Sequence, residues 1–563
     1  MDASSFDFII VGAGSAGCIL ADRLSESGKF RVLLLEAGNA DNSFWIRMPL
    51  GFAKLFYHPR YNWRYHTTPQ PELANQRVYT PRGKVLGGSG SINAMIYVRG
   101  QRRDFDDWAA QGNPGWSYDD VLPWFKRLES HPLGDTEWHS SGGKIRITRD
   151  SVHPICENFF RACDELGFPR NDDFNGACFE GAGVYDINTR DGQRDSSCAA
   201  YLRPAMKRPN LVVETGALAE RVLFDANRTA VGVSVLIRGH RHEFRASREV
   251  ILSAGAVETP KLLQCSGVGD AALLRRHQIP VVHDAPAVGR NLQDHLCASY
   301  YFEATRATLN DEMRTWPQQA AAMWKYLLRR EGIFATTVKA GGFFRSSEAE
   351  RHPNMQLYFN PLSYVLPESG GMPKVEPYSG YTMFFAPCRP TSRGSVQLTS
   401  ADAHAPPRID PNYLSTEHDQ AEAIAGSKLI RRLAATAGLL ELTKAEVSPA
   451  ITVTDDTSML QFFREQSGSI YHLCGSCAMG ADARTSVVNS ELQVHGMARL
   501  RVVDASIFPN ITSGNINAPT MMVAERASQL ILKSQASALP RGSTSNRDAS
   551  PAPVRATPLE SIG

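Results

Sequence analysis

Residues 6–36 read FDFIIVGAGSAGCILADRLSESGKFRVLLLE, and the alternation of apolar runs and glycines within them decides the fold. Phe6 to Val11 is a short apolar run ending in glycines, Ala16 to Leu24 carries helical spacing, and Arg31 to Leu35 is strand-like again. That order predicts a β-α-β unit in a parallel sheet, whose strands, covered on both faces, read as continuous apolar runs. Between the first strand and the helix stands Gly12-Ala13-Gly14-Ser15-Ala16-Gly17, the G-x-G-x-x-G spacing. Gly12 permits the tight turn, Gly14 lets the backbone approach a pyrophosphate, and Gly17 lets the helix pack on the strand. Ser15 and Ala16 open a helix whose N-terminus faces the phosphates. Glu36, with Ala37 behind it, closes the second strand where a carboxylate accepts ribose hydroxyls. The segment is read as a dinucleotide site.

Working outward, the run Glu249 to Ser253 (EVILS), followed by Ala254 and Gly255, looks like another strand of the same sheet. A sheet assembled from segments so far apart implies that a second domain is inserted between them. Between about Arg306 and Phe463 the texture changes to short alternating stretches broken by Pro and Gly, which suits an antiparallel sheet. The expected fold class is α/β (α+β overall): a Rossmann-like, doubly wound dinucleotide domain interleaved with a substrate domain built on a mainly antiparallel sheet flanked by helices. The dinucleotide domain is expected from 1–155, 206–305 and 464–538, and the substrate domain from 156–205 and 306–463. The Pro-, Ser- and Arg-rich segment 539–563 lacks apolar periodicity and is expected to be disordered.

Composition is that of an ordinary globular enzyme, with 42% hydrophobic and 21% charged residues and a formal net charge of +2, so nothing global calls for nucleic acid. Ten cysteines without a repeating ladder suit a reducing compartment, and no charged and apolar leader precedes Phe6, so a cytoplasmic location is expected. No apolar run is long enough for a membrane helix. Met323 to Arg330 (MWKYLLRR) reads first as an ordinary amphipathic helix, with peripheral contact on the inner membrane as the other reading. The sequence leaves the oligomeric state open. No metal site is expected: Cys474 and Cys477 form a C-x-x-C that lacks a second pair at zinc spacing and is taken as coincidence.

Two segments follow no rule of periodicity: Pro81 to Gly100 (PRGKVLGGSGSINAMIYVRG) and Ser253 to Gly269 (SAGAVETPKLLQCSGVG). Both resemble signature patterns of the glucose-methanol-choline (GMC) oxidoreductases, and the resemblance extends to Asp104–Phe125, Val288–His295 and Val502–Ile531. It lies nearest the bacterial group of alcohol dehydrogenases, hydroxymethylfurfural-type oxidases and choline dehydrogenases, a placement that Arg47 to Phe52 and Asn62-Trp63 support. It implies FAD as cofactor. Gly87, Gly88, Asn93 and Met95 are then expected along the flavin, with Arg82, Ser89, Ala94 and Ile96 from the same signature. Ala254 and Gly255 come from the second signature, Ala219 would meet the adenine, and Asp504 and Ala505 the pyrophosphate and ribityl side. Some members attach FAD through a His in the first signature; this chain has Ser91-Ile92-Asn93 there, and Ile92 offers no nucleophile, so non-covalent FAD is expected.

Oxidising an alcohol needs a base for the hydroxyl proton and a donor for the developing alkoxide. Among 15 histidines, His472 stands out: Tyr471-His472-Leu473-Cys474-Gly475-Ser476-Cys477 resembles the family block whose leading His faces the flavin N5. The family's second polar group, a His or an Asn, falls in a window holding Asn515, Ile516 and Asn517. Reading through Ala518-Pro519-Thr520 places it on Asn517, with Pro519 also at the cofactor and Asn515 as a turn residue after Gly514. His295 is read as structural and His495 as part of a turn. Tyr471, with Phe359 or Trp63, suggests a pocket for an aryl, furanic or aliphatic primary alcohol. The expected partners are that alcohol and either dioxygen or a quinone-like or protein electron acceptor, with an inclination to dioxygen. The alternatives are a non-redox or light-driven flavoprotein on the same scaffold, of hydroxynitrile-lyase or decarboxylase type, and a catalytically silent FAD-binding protein.

Overall fold

The computed structural model describes residues 4–149, 151–335, 340–365, 374–449 and 451–537; the segment 539–563, expected to be disordered, lies outside the described residues. The opening β-α-β unit forms as read: β1 (Ser5–Val11), α1 (Ser15–Ser25) and β2 (Val32–Glu36), with β1 and β2 parallel. They sit in a seven-stranded sheet whose order is Leu211–Thr215, β2, β1, His240–Leu252, Ala230–Ile237 and Ala217–Phe224, with Leu500–Val502 also on His240–Leu252. Segments more than two hundred residues apart therefore pair directly, as Phe8 does with Glu249 and Val11 with Leu252. The strand predicted at Glu249–Ser253 begins earlier, at His240. Its first half, HRHEFRAS, is mostly exposed and pairs antiparallel with Ala230–Ile237, so it lacks the apolar run that marks the buried half.

A second seven-stranded sheet runs Thr443–Ser448, Leu296–Ala304, Gly380–Pro387, Met355–Asn360, Ala340–Phe344 and Gly181–Val184, with Gly468–Ser469 also on Leu296–Ala304. All its pairings are antiparallel. Helices Cys156–Glu165 and Glu417–Ala434 cover one face and bury a core with it, including Phe159, Leu429 and Leu433. Two short pieces depart from the expected division: Leu296–Ala304, expected in 206–305, and Gly468–Ser469, expected in 464–538, are both strands of this second sheet.

Alternation across these strands separates core from site. In Leu296–Ala304, residues Leu296, Ala298, Tyr300, Phe302 and Ala304 are buried in the core, while Cys297, Ser299 and Tyr301 face a large cavity. In Met355–Asn360, Met355, Leu357 and Phe359 go to the core, while Tyr358 and Asn360 line the cavity. Phe359, read as a pocket residue, is therefore a core residue stacked on Phe159 and Tyr381. A one-residue step along a strand exchanges the faces, and the apolar composition of this segment conceals which face is which.

Candidate active site

Close packing of glycines shapes one end of the cavity. A Cβ on Gly12 (φ +99°) would lie 2.5 Å from the Ser253 carbonyl oxygen, and one on Gly17 would lie 1.9 Å from the Gly12 carbonyl oxygen. The two glycine-rich loops also meet each other: a Cβ on Gly88 would stand 2.7 Å from Gly14 Cα, and the Gly87 N–H donates to the Ala13 carbonyl at 2.7 Å. Gly14 caps α1 without any side-chain hydrogen bond, so the first-turn N–H groups are open to an anion. Glu36 is buried and accepts from the N–H groups of Ala13 (3.0 Å) and Gly38 (2.8 Å). Burial pushes its carboxyl up to about 7, against those two amides and Lys84.

From this cradle a cavity of about 930 Å³ extends to His472. Its wall includes Gly12, Gly14, Ser15, Ala16, Glu36 and Ala37 from the first unit, and Arg82, Gly88, Ser89, Asn93, Ala94, Met95 and Ile96 from the second loop. Ala219, Ala254, Gly255, Asp504, Ala505 and Asn517 complete it. Gly17, Gly87 and Pro519 lie off the wall: Gly17 packs beneath Gly12, and a Cβ on Gly87 would meet Ser91 Oγ at 2.1 Å. Asp504 is engaged by the protein itself, accepting from the Gly255 N–H (2.8 Å), Thr259 Oγ1 (2.6 Å) and the Ser506 N–H (2.8 Å). A backbone cradle without side chains, an open helix end and a buried carboxylate closing β2 together fit the pyrophosphate and ribose of FAD.

The other end is built around His472. Tyr471, just before it, is a non-glycine residue at φ +71°, a strained conformation that the surroundings must impose. Arg82 Nη2 donates to the Tyr471 carbonyl at 2.5 Å. Asp294 Oδ1 accepts the His472 backbone N–H at 2.7 Å, while its Oδ2 accepts from Ser469 Oγ (2.5 Å) and Tyr413 OH (2.6 Å). With the loop clamped in this way, the imidazole is buried and joins a chain of hydrogen bonds. His295 Nε2 lies 2.8 Å from the Cys388 carbonyl oxygen, His295 Nδ1 lies 2.9 Å from His472 Nδ1, and His472 Nε2 lies 3.3 Å from Asn515 Nδ2.

The chain fixes both tautomers. A carbonyl only accepts, so His295 carries its proton on Nε2 and presents Nδ1 as an acceptor. His472 must then donate from Nδ1, which leaves a lone pair on Nε2. Gln356 Nε2 donates to Asn515 Oδ1 at 3.2 Å, which turns the Asn515 amide N–H toward His472 Nε2. Burial, with His295 and Arg82 nearby, holds His472 well below the ordinary histidine range. Burial also lowers His295 to about 4, against the Cys388 carbonyl. Both rings are neutral at neutral pH, and the His472 Nε2 lone pair, which accepts from Asn515 Nδ2, belongs to a residue on the cavity wall.

Two readings are corrected here. The residue facing His472 is Asn515, aimed by the turn at Gly514 (φ +91°). Asn517 is the first residue of the final helix, Asn517–Ser537, and its Oδ1 accepts from Ser15 Oγ at 2.8 Å. His295, read as merely structural, is the acceptor that orients the His472 ring, and its position after Asp294 in the Asn291-Leu292-Gln293-Asp294-His295 block was the available signal. His495 bonds Ser486 Oγ and the Gly480 carbonyl, and it is not on the cavity wall. Cys474 and Cys477 are buried thiols, and among the described residues no group of three or more His, Cys, Asp or Glu side chains could hold a metal ion. Tyr471 and Trp63 both line the cavity.

Family models described as GMC oxidoreductase match residues 6–297 and 390–524. An "Alcohol dehydrogenase [acceptor]" of Pseudomonas putida is 41% identical over 534 residues, covering 94% of this chain and 96% of that one. An "Oxygen-dependent choline dehydrogenase" of Pseudomonas savastanoi pv. phaseolicola is 41% identical over 570 residues, covering 99% of each chain. Among solved structures, pyridoxine 4-oxidase from "Mesorbium loti" superposes with a TM-score of 0.83 at 31% identity, covering 93% of this chain and 98% of that one. Matched over most of its length, and carrying a glycine cradle that opens onto an oriented imidazole, the chain belongs to the GMC oxidoreductases and is an FAD-dependent alcohol oxidoreductase.

Proposed function

We propose that this enzyme oxidises an apolar primary alcohol, aryl, furanic or aliphatic, to the aldehyde, with His472 as the base and Asn515 as the oxygen-holding donor. Bound FAD supplies the acceptor for the hydride that leaves the carbinol carbon, and it is held without a covalent link because Ile92 offers no nucleophile. His472 Nε2, neutral and unprotonated, takes the hydroxyl proton. Asn515 Nδ2 donates to the substrate oxygen as negative charge grows there, and Gln356 keeps that amide from turning over. Arg82, partly buried beside this site, adds positive charge that disfavours protonation of the base before the alcohol arrives. The observation that supports the reading is the hydrogen-bond chain from Cys388 through His295 to His472, which keeps the proton on Nδ1 and leaves Nε2, beside Asn515 Nδ2, as the acceptor at the cavity wall.

The wall on the side of the second sheet is largely apolar or aromatic: Tyr301, Tyr358, Leu362, Phe384 and Tyr471, with Phe56 and Trp63 from the first eighty residues. Of the carboxylates on the described wall, Glu36 and Asp504 accept backbone N–H groups, and Glu258 is tied to Tyr65 and Lys261. Glu376 remains, half-buried beyond the strand Lys374–Val375. An uncharged alcohol suits such a wall, and choline is the competing substrate, because aromatic faces also receive a quaternary ammonium group. Anaerobic mixing of the holoenzyme with benzyl, furfuryl and straight-chain primary alcohols should bleach the oxidised flavin band, with choline much slower. Reduction by choline alone would overturn the substrate class. The expected acceptor is dioxygen; hydrogen peroxide formed in less than stoichiometric amount per turnover, with a quinone restoring the rate, would replace it. Unpaired cysteines and a chain without a spanning helix among the described residues support work in a reducing compartment, the cytoplasm.

A further inference from the structure

Residues 189–194, TRDGQR, form a small hairpin in which Thr189–Arg190 pairs with Gln193–Arg194 across Asp191 (φ +51°) and Gly192 (φ +67°). Two successive positive φ values make the tight turn that aspartate and glycine favour. The pleat then sends Arg190 outward and both Thr189 and Arg194 inward. Four arginines among the described residues are buried, and three of them face a carboxylate: Arg23 with Glu525 at 2.8 Å, Arg99 with Glu129 at 2.6 Å, and Arg501 with Glu249 at 2.6 Å. The fourth, Arg194, is 5% exposed and has no carboxylate partner among the described residues.

Neutral oxygens surround it instead. Arg194 Nε donates to the Ile46 carbonyl (2.9 Å), and Nη1 donates to the Gly90 carbonyl (3.2 Å) and to Asn93 Oδ1 (2.6 Å), while the buried Nη2 has no partner. Burial lowers its pKa to about 9, so it is still a cation at neutral pH. A buried cation without a counter-charge is costly, and neutral acceptors offset only part of that cost. Gly90 abuts the open N-terminus of α1, since a Cβ on it would stand 2.7 Å from Ser15 Oγ. A guanidinium only donates, so Asn93 must present its oxygen to Arg194, and that same Oδ1 accepts the Met95 N–H at 3.1 Å. With its oxygen so occupied, Asn93 stands on the cavity wall with its Nδ2 donors turned away from Arg194.

The oxidised isoalloxazine carries no net charge, so the charge that enters this cavity with FAD sits on the diphosphate. We infer that Arg194 is the buried counter-cation of the FAD diphosphate and a positioning residue for Asn93, whose amide it turns so that Nδ2 donates to the cofactor. The guanidinium stays behind the wall, outside the residues that line the cavity, and acts through its field and through Asn93. This holds whichever alcohol is the substrate.

The test follows flavin released from the full-length holoenzyme on dilution, read by its fluorescence, with ADP as competitor for rebinding. Arg194→Gln should weaken FAD retention on the order of 10- to 100-fold, the size expected for a hydrogen-bonded buried charge. Arg194→Lys, which keeps the charge without the fork, should recover part of the loss. ADP shares the diphosphate, so its potency relative to FAD should be the same in wild type and variants. Asn93→Asp gives Arg194 an internal carboxylate and removes the donor from the wall, so its apoprotein should melt above the wild-type apoprotein while FAD retention falls on the order of 10-fold. A role confined to tying Ile46, Gly90 and Asn93 together would lower the melting temperature of Arg194→Gln with and without FAD alike, leaving the rise brought by FAD unchanged, and that result would overturn the inference. So would ADP gaining potency relative to FAD in Arg194→Gln, which would assign the charge to the isoalloxazine, or an Asn93→Asp protein that holds FAD as tightly as wild type. If Arg194→Gln does not fold, Asn93→Asp alone decides.

Discussion

Replacing His295 by Leu tests the tautomer argument directly. His295 Nδ1 accepts the His472 Nδ1–H at 2.9 Å, and His472 is buried, so the substitution leaves that N–H without a partner in a dry site. An unsatisfied buried donor costs ~1–3 kcal/mol. The imidazole can relieve the cost by carrying its proton on Nε2, where it blocks abstraction from the alcohol. Losing that bias corresponds to a rate loss of about 5- to 150-fold, below the ~10²–10⁴-fold expected from removing the base in His472→Ala. The assay is the limiting rate of anaerobic flavin reduction across pH, with KM followed separately. The rate should fall while KM changes little. The acid limb should also move toward higher pH, because His295 is one of the groups depressing His472 and its removal lets that pKa rise toward 6.5. His295→Gln, whose amide can donate to the Cys388 carbonyl and accept from His472, should restore most of the rate. A His295→Leu enzyme with an unchanged limiting rate and pH profile would refute the reasoning.

Asn515→Ala should lower flavin reduction by ~10²–10³, the usual cost of one donor at a developing oxyanion. Asn517→Ala should instead show up as weaker FAD retention through its contact with Ser15; equal kinetic damage from both would undo their separation. Gly88→Ala places a methyl 2.7 Å from Gly14 Cα and should yield protein largely free of flavin, read as the ratio of absorbance at 450 nm and 280 nm. Away from the site, His139 Nδ1 and Nε2 each lie 2.8 Å from a carboxylate, Glu129 and Asp173. Burial opposes the charge on His139, but the two hydrogen bonds outweigh it and raise its pKa. The folded value lies above the unfolded one, so this stabilisation is full below about 6.5 and fades as pH rises through the raised value. The melting temperature should therefore decline above neutrality, and His139→Gln should flatten that decline.

The first unit could be read without coordinates because each local signal there agrees with its neighbours. FDFIIV and RVLLLE have no polar face to dispute, so they must lie within a covered sheet, and Gly12, Gly14 and Gly17 meet backbone where a side chain cannot fit. The same holds for His472, whose flanking block carries the resemblance in one contiguous stretch. The exposed half of His240–Leu252 escaped notice because period-two patterning fades when both faces are wet.

What the linear order could not decide is which side chains meet. His472 and Asn515 come from segments 43 residues apart, and His295 lies 177 residues before His472, so their juxtaposition rests on how the second sheet closes against the first. Asn515 and Asn517 are alike in composition and differ only in direction, which the turn at Gly514 and the start of the final helix impose. Phe359 and Tyr358 are separated by one pleat, one facing the core and the other the cavity. Local chemistry names candidate bases and donors; a lone pair receives its direction from hydrogen bonds reaching across the fold, and only the packed tertiary structure supplies those.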